Sequence, residues 1–130
     1  MDGTVLRKSV ARDIALVRVP IRTQFPLPIR FEEVSRFDTV YAVGSPLLET
    51  LDATITKGIV SAKRIQGKSG LTFIQSDAAI SGGNSGGPLL DGRGNVVGVS
   101  TLKIMGVGVE GLAFFIPIAD ALAALNVEMR

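Results

Sequence analysis

Hydrophobic and polar residues alternate in short stretches along most of the chain. This period of two predicts strands over Asp13–Val19, Thr39–Gly44, Ala53–Ala62, Leu71–Gln75, Val96–Thr101 and Leu112–Ile116. Each stretch is rich in β-branched or aromatic residues and bounded by Gly, Pro, Ser or Asp. Between Pro88-Leu89-Leu90 and Val96-Val97, the run Asp91-Gly92-Arg93-Gly94-Asn95 supplies the positive φ that a hairpin loop requires. Pro20, Pro26 and Pro28 remove backbone donors and fix φ, so Pro20 to Phe31 reads as a connector rather than a central strand. After Pro117 the period changes. Ile118, Leu122 and Leu125 then share one face of a short C-terminal helix, with Asp120 in its first turn. Many short strands and one helix make the chain all-β, built as a small barrel or sandwich.

Composition narrows this picture. With 130 residues of which 46% are hydrophobic, the chain is long enough for one packed domain and too short for two of full size. Lys plus Arg exceed Asp plus Glu by 14 − 12 = 2 with no basic run, which argues against a nucleic-acid partner. The longest apolar stretch, Gly111 to Leu125, is broken by Pro117 and Asp120, so no membrane span is expected. Met1 leads directly into Asp2 and Gly3, without the charged and apolar regions of a signal peptide. There is no cysteine, which excludes a disulfide framework, a thiolate metal site and a cysteine nucleophile. There is also no histidine. The commonest general base and metal ligand is therefore missing, and any nucleophilic chemistry must recruit another group or a histidine from outside these residues. No metal or other cofactor is expected.

Glycine is abundant, at 15 residues, and concentrated in the region that holds the candidate chemistry. Phe73 to Leu90 reads as a strand, a tight glycine loop around one hydroxyl, and a second strand. Within it, Gly83-Asn84-Ser85-Gly86-Gly87-Pro88 makes Ser85 the candidate nucleophile. Acyl transfer needs an exposed hydroxyl with backbone N–H groups aimed at the developing oxyanion, and flanking glycines let the chain turn sharply while a substrate approaches. The N–H groups of Gly83 and Ser85 are the two candidate donors. A glycine turn with a locally bonded serine, or a backbone nest for phosphate, is the plainer alternative. The segment lacks both the strand-to-helix context of a hydrolase elbow and the Gly-Lys-Ser/Thr of a phosphate loop.

On this string the chain resembles the trypsin-like (chymotrypsin-fold) serine proteases, and within them the HtrA/DegP family. Four further segments agree in order: Arg12-Asp13-Ile14-Ala15-Leu16-Val17-Arg18-Val19, Val40-Tyr41-Ala42-Val43-Gly44-Ser45-Pro46, Thr56-Lys57-Gly58-Ile59-Val60-Ser61 and Gly111-Leu112-Ala113-Phe114-Phe115-Ile116-Pro117. Roughly residues 10 to 120 are covered. The resemblance implies the C-terminal six-stranded barrel of a double β-barrel, with one strand of the first barrel and a connector in residues 1–25. Residues 26–130 would then hold the second barrel and the helix. It further implies Ser85 as nucleophile, Gly83 and Ser85 as oxyanion hole, Asp13 as the aspartate that orients the catalytic histidine, and Ile80 as a wall of the primary specificity pocket. Asp77 is read as a structural carboxylate, and Lys103 to Glu110 as a mobile regulatory loop.

Triads occur in three chain orders, and with Asp13 preceding Ser85 the missing histidine belongs either between them or before Asp13. No histidine lies between them, so the expectation is a serine endopeptidase of the HtrA class whose histidine comes from a first barrel absent from these residues. The chain alone would then be inactive. A catalytically inactive, protease-like module that binds peptides along strand edges is the alternative. The expected partners are a polypeptide substrate, the missing N-terminal barrel and, through the apolar face that barrel would cover, further copies of the chain. A periplasmic or exported location follows if the resemblance holds.

Overall fold

The computed structural model describes residues 2–44, 54–67, 69–80, 85–101 and 112–128. Its main body is a closed barrel of six antiparallel strands: β3 (Thr39–Gly44), β4 (Thr54–Ile65), β5 (Thr72–Ser76), β6 (Pro88–Leu90), β7 (Val96–Thr101) and β8 (Ala113–Pro117). They pair in the order β3-β4-β5-β8-β7-β6, and β3 meets β6 through Tyr41 with Leu90 and Ala42 with Leu89 to close the ring. The all-β expectation holds.

Alternation along the strands sorts side chains between two cores. Val40, Ala42, Val60, Ile74, Leu89, Val97, Ala113 and Phe115 form one cluster, with Phe115 and Leu89 fully buried. The next residue along two of these strands, Phe73 on β5 and Ile116 on β8, belongs to a second cluster with Ile118 and Ala121 of helix α1 (Ile118–Ala124). The helix thus covers the outer side of β7 and β8. Its buried stripe contains Ile118 and Leu125, with Leu122 half-buried against the cluster, as the spacing predicts.

Two strands stand outside the ring. β1 (Thr4–Ser9) and β2 (Ile14–Arg18) form a separate antiparallel hairpin with a bulge between Val5 and Arg7. β2 was legible in the sequence, but it begins at Ile14 rather than Asp13, because Asp13 closes the turn at φ 58°. β1 was not legible: its strand is exposed up to Ser9, so no buried face imposes alternation on Thr4-Val5-Leu6-Arg7-Lys8-Ser9. β4 runs on to Ile65, past the predicted end at Ala62, because a register shift between Val60 and Ala62 lets Lys63 and Arg64 pair with Ile74 and Phe73. The connector is pinned near its end, where Val96 donates its N–H to Pro28 O at 2.8 Å and Arg30 donates its N–H to Val96 O at 3.0 Å.

Candidate active site

Ser85 is exposed in a turn that leads into β6. The turn is fixed by main-chain bonds to β7. Gly86, at φ 89°, donates its N–H to Ser100 O at 2.9 Å, and Ser100 donates its own N–H to Gly87 O at 2.9 Å. The Ser100 hydroxyl adds a third bond to the same Gly87 carbonyl at 3.3 Å. The glycine at 86 is required here, because a side chain in that left-handed conformation is strained. Ser85 is thereby exposed on a turn bonded to β7 at the rim of the barrel. Gly83 and Asn84 lie outside the described residues, as does Lys103 to Glu110.

The approach to this turn from the other side is also clamped. Ser76, fully buried at the end of β5, accepts the Ala78 N–H through Oγ at 3.0 Å. The Asp77 carboxylate accepts the Ile59 N–H at 2.8 Å, and Thr56 donates its hydroxyl to Ala79 O at 2.7 Å. These bonds fasten residues 76–79 to β4. They also explain Gly58: a Cβ there would lie 2.4 Å from Ala78 N and 2.5 Å from Asp77 Oδ1. Asp77 thus bonds to main chain, which fits a structural carboxylate. Ile80 is half-buried and packs against the barrel cluster.

Asp13 occupies the tip of the β1–β2 hairpin and is exposed. Its N–H donates to Val10 O at 3.3 Å, closing a four-residue turn, and Asp is among the few residues that tolerate its positive φ. The neighbouring Ile14 packs against the outer cluster of Phe73, Val96, Ile116, Ile118 and Ala121, which seats the hairpin tip on the barrel's outer face. No described hydrogen bond joins Asp13 to Ser85.

Arg12 was not singled out in the sequence. Its side chain is only 5% exposed, and Nη2 donates both to Thr72 O at 2.7 Å and to Asp120 Oδ2 at 2.7 Å. The guanidinium also lies over the Phe73 ring, 4.9 Å from its centroid. Nothing in a lone arginine before an apolar strand announces burial, since the partners come from β5 and α1. An open cleft of about 830 Å³ lies elsewhere, at the Asp91 end of β6, lined by Ile29, Arg30, Asp38, Asp91 and Arg93 among others. It contains none of the candidate catalytic residues. Among the described residues no three Asp or Glu side chains gather into a metal-holding group, and no helix is long and apolar enough to cross a membrane.

Comparison with known proteins places this geometry. The family model described as trypsin-like peptidase domain matches residues 1–99. The serine protease Do-like HtrA of Lactobacillus helveticus is 45% identical over 136 aligned positions, covering 97% of this chain and 33% of that protein. Among solved structures, the serine endoprotease from Yersinia pestis superposes with a TM-score of 0.74 at 31% identity, covering 93% of this chain and 42% of the other. The HtrA-type protease AlgW with a decapeptide gives a TM-score of 0.78 at 31% identity, over 92% of this chain and 37% of the other. Curated relatives such as the HtrA proteins of Bacillus subtilis and Lactobacillus helveticus are much longer, and the chain spans 20% and 33% of them respectively. Sequence motifs, barrel topology and relatives agree, and the chain belongs to the trypsin-like peptidase domain family as an HtrA/DegP-like member.

Proposed function

We propose that this chain carries the nucleophile and the orienting aspartate of a serine endopeptidase and receives its histidine from polypeptide outside these 130 residues. The observation that carries the reading is the exposed Ser85 on a turn held by three bonds between Gly86-Gly87 and Ser100. Ser85 Oγ attacks the scissile carbonyl carbon while its proton passes to the imidazole. The oxyanion is held by the N–H groups of Gly83 and Ser85, and the imidazole then protonates the departing amine. Water hydrolyses the Ser85 ester to complete the cycle. Asp13 orients the imidazole and stabilises its protonated form. Ile80 forms an apolar wall that favours aliphatic over cationic side chains, since an unpaired buried cation is costly.

The substrate class that fits is unfolded polypeptide, and the solved relative with a bound decapeptide supports an extended ligand. An exported or periplasmic setting and self-association belong to the same reading. The inactive peptide-binding module is the second reading, favoured by the absence of histidine from the sequence.

Fluorophosphonate labelling of Ser85 separates the two. The chain by itself should label at a rate on the order of 10⁶-fold below an intact triad, the scale of losing the base. Joined to the polypeptide that supplies the histidine, it should label readily, and Ser85→Ala should abolish the signal. Ester hydrolysis by the chain alone, removed by Ser85→Ala, would overturn the external-base proposal. Failure to label in the joined protein would leave the binding module.

A further inference from the structure

We infer that Arg12 is a positioning residue, a latch that docks the β1–β2 hairpin onto the barrel and so sets where Asp13 stands relative to Ser85. The role assigned to Asp13 is that of the proposed peptidase; the docking itself is independent of it. The hairpin is a two-stranded sheet of its own, and its strands share no ladder with the ring. Ser85 is tied to the barrel by main chain, whereas the described contacts that join the Asp13 hairpin to the barrel are made by side chains. Three such contacts are visible. Ile14 packs on the outer cluster, Arg7 donates through Nη1 to Leu125 O at 3.1 Å and to Asn126 O, and Arg12 is the buried charge among the hairpin's described residues.

Arg12 is also the contact closest to Asp13, being its chain neighbour. The turn prepares it for this: Ser9 Oγ accepts the Arg12 N–H at 3.2 Å, which fixes the backbone from which the side chain leaves the turn. From there one nitrogen bridges the first residue of β5, through Thr72 O, and the first turn of α1, through Asp120. Phe73 supplies a flat surface below the guanidinium. Removing an arginine from water is expensive, and Nη1 remains buried without a described hydrogen-bond partner. Such a group is poorly explained as a stabiliser and well explained as a device that fixes geometry. Planar, two-point bonding defines both distance and direction, which a hydrophobic contact does not.

An isolated two-stranded hairpin is marginal in water, so amide protection in β1 and β2 reports docking. Hydrogen exchange on the 130-residue chain tests the latch directly. Arg12→Ala should speed exchange of the hairpin amides at least tenfold and leave β3 to β8 unchanged. Asp120→Ala, at an exposed carboxylate, should produce a smaller acceleration confined to the same amides. Unchanged hairpin protection in both variants would overturn the inference, as would acceleration shared equally by the barrel in Asp120→Ala.

The catalytic consequence is tested in the protein joined to its histidine-bearing polypeptide. Arg12→Ala should slow Ser85 labelling about tenfold or more when Asp13 is present and less than twofold when Asp13 is already alanine. A role elsewhere in the fold would slow both backgrounds alike, and that result would overturn the positioning role. If Asp13→Ala itself leaves labelling unchanged, the role proposed for Asp13 falls, and the exchange measurement still decides the latch.

Discussion

The barrel and the hairpin hold their parts of the site by different means. In the barrel, every strand has two hydrogen-bonded neighbours, the ring closes, and the Ser85 turn is one more rung of the ladder through Gly86, Gly87 and Ser100. The hairpin has one ladder, largely exposed strands and a few side-chain attachments. In the proposed peptidase, the nucleophile needs a fixed carbonyl-facing geometry, which the closed ring would provide, and the aspartate needs only to be brought to the right place, for which the proposed latch would be sufficient. Substitutions in the two regions should therefore differ in reach, with the barrel failing as a whole and the hairpin failing locally.

The largest effect is expected at Phe115, which is fully buried at the centre of the ring. Phe115→Ala removes its packing and leaves a cavity, costing about 3–5 kcal/mol. Denaturant melts should show one cooperative transition shifted to lower midpoint, with barrel and Ser85-turn amides losing protection together. Loss confined to β8 would contradict the picture of a single closed unit.

Gly58→Ala comes next. The added Cβ meets main chain at Ala78 N and Cα, neither of which can rotate away, so residues 77–79 must move off β4. A cost of roughly 1–3 kcal/mol is expected for such overpacking. Because the displaced segment leads towards the Ser85 turn, Ser85 labelling in the joined protein should fall further than stability alone accounts for. Equal losses in both would mean that the clamp supports the fold without guiding the loop.

Acid should act on the barrel through Asp91 at the opposite end of β6. Burial pushes this carboxyl up, but N–H groups of Asn95 and Arg93, the Asn95 amide and the Arg30 guanidinium together outweigh burial and hold it below its usual value. A folded-state pKa below the unfolded one means the stabilisation is complete above the unfolded value and is lost as pH falls through the folded one. Asp91→Asn should lower stability at neutral pH and flatten the acid limb of the stability profile. An acid limb identical to that of the parent would show that the carboxylate's bonds are not retained in solution.

Much of this contrast was written in the sequence. Alternation marks β3, where one face is more buried than the other, and β7, buried on both faces, shows instead as a β-branched run between turn residues; both were legible with the bounds observed, and Gly83 to Pro88 marked the candidate nucleophile because glycine and serine carry a turn's local geometry themselves. β1 and the docking of the hairpin escaped for the converse reason. Val5 and Leu6 are more than half exposed, so no burial pattern marks β1, and the partners of Arg12 are supplied by residues 60 and 108 positions away. Contacts of that range leave no periodic trace.

The smallest effect sharpens the comparison most. Leu6 falls at the hairpin bulge, between the Val5–Val17 and Arg7–Leu16 pairs, and is 52% exposed. At a bulge the extra residue is left out of the ladder, so its side chain has neither a cross-strand partner nor the core to lose. Leu6→Ser should leave the global transition within about 0.5 kcal/mol of the parent, as for surface positions without a special role. Arg12→Ala, six residues along the same hairpin, should instead release the whole tip. A Leu6→Ser variant that melts much earlier than the parent would show that the hairpin contributes to the cooperative unit, and the division between a ring that folds as one and an arm held by a latch would have to be redrawn.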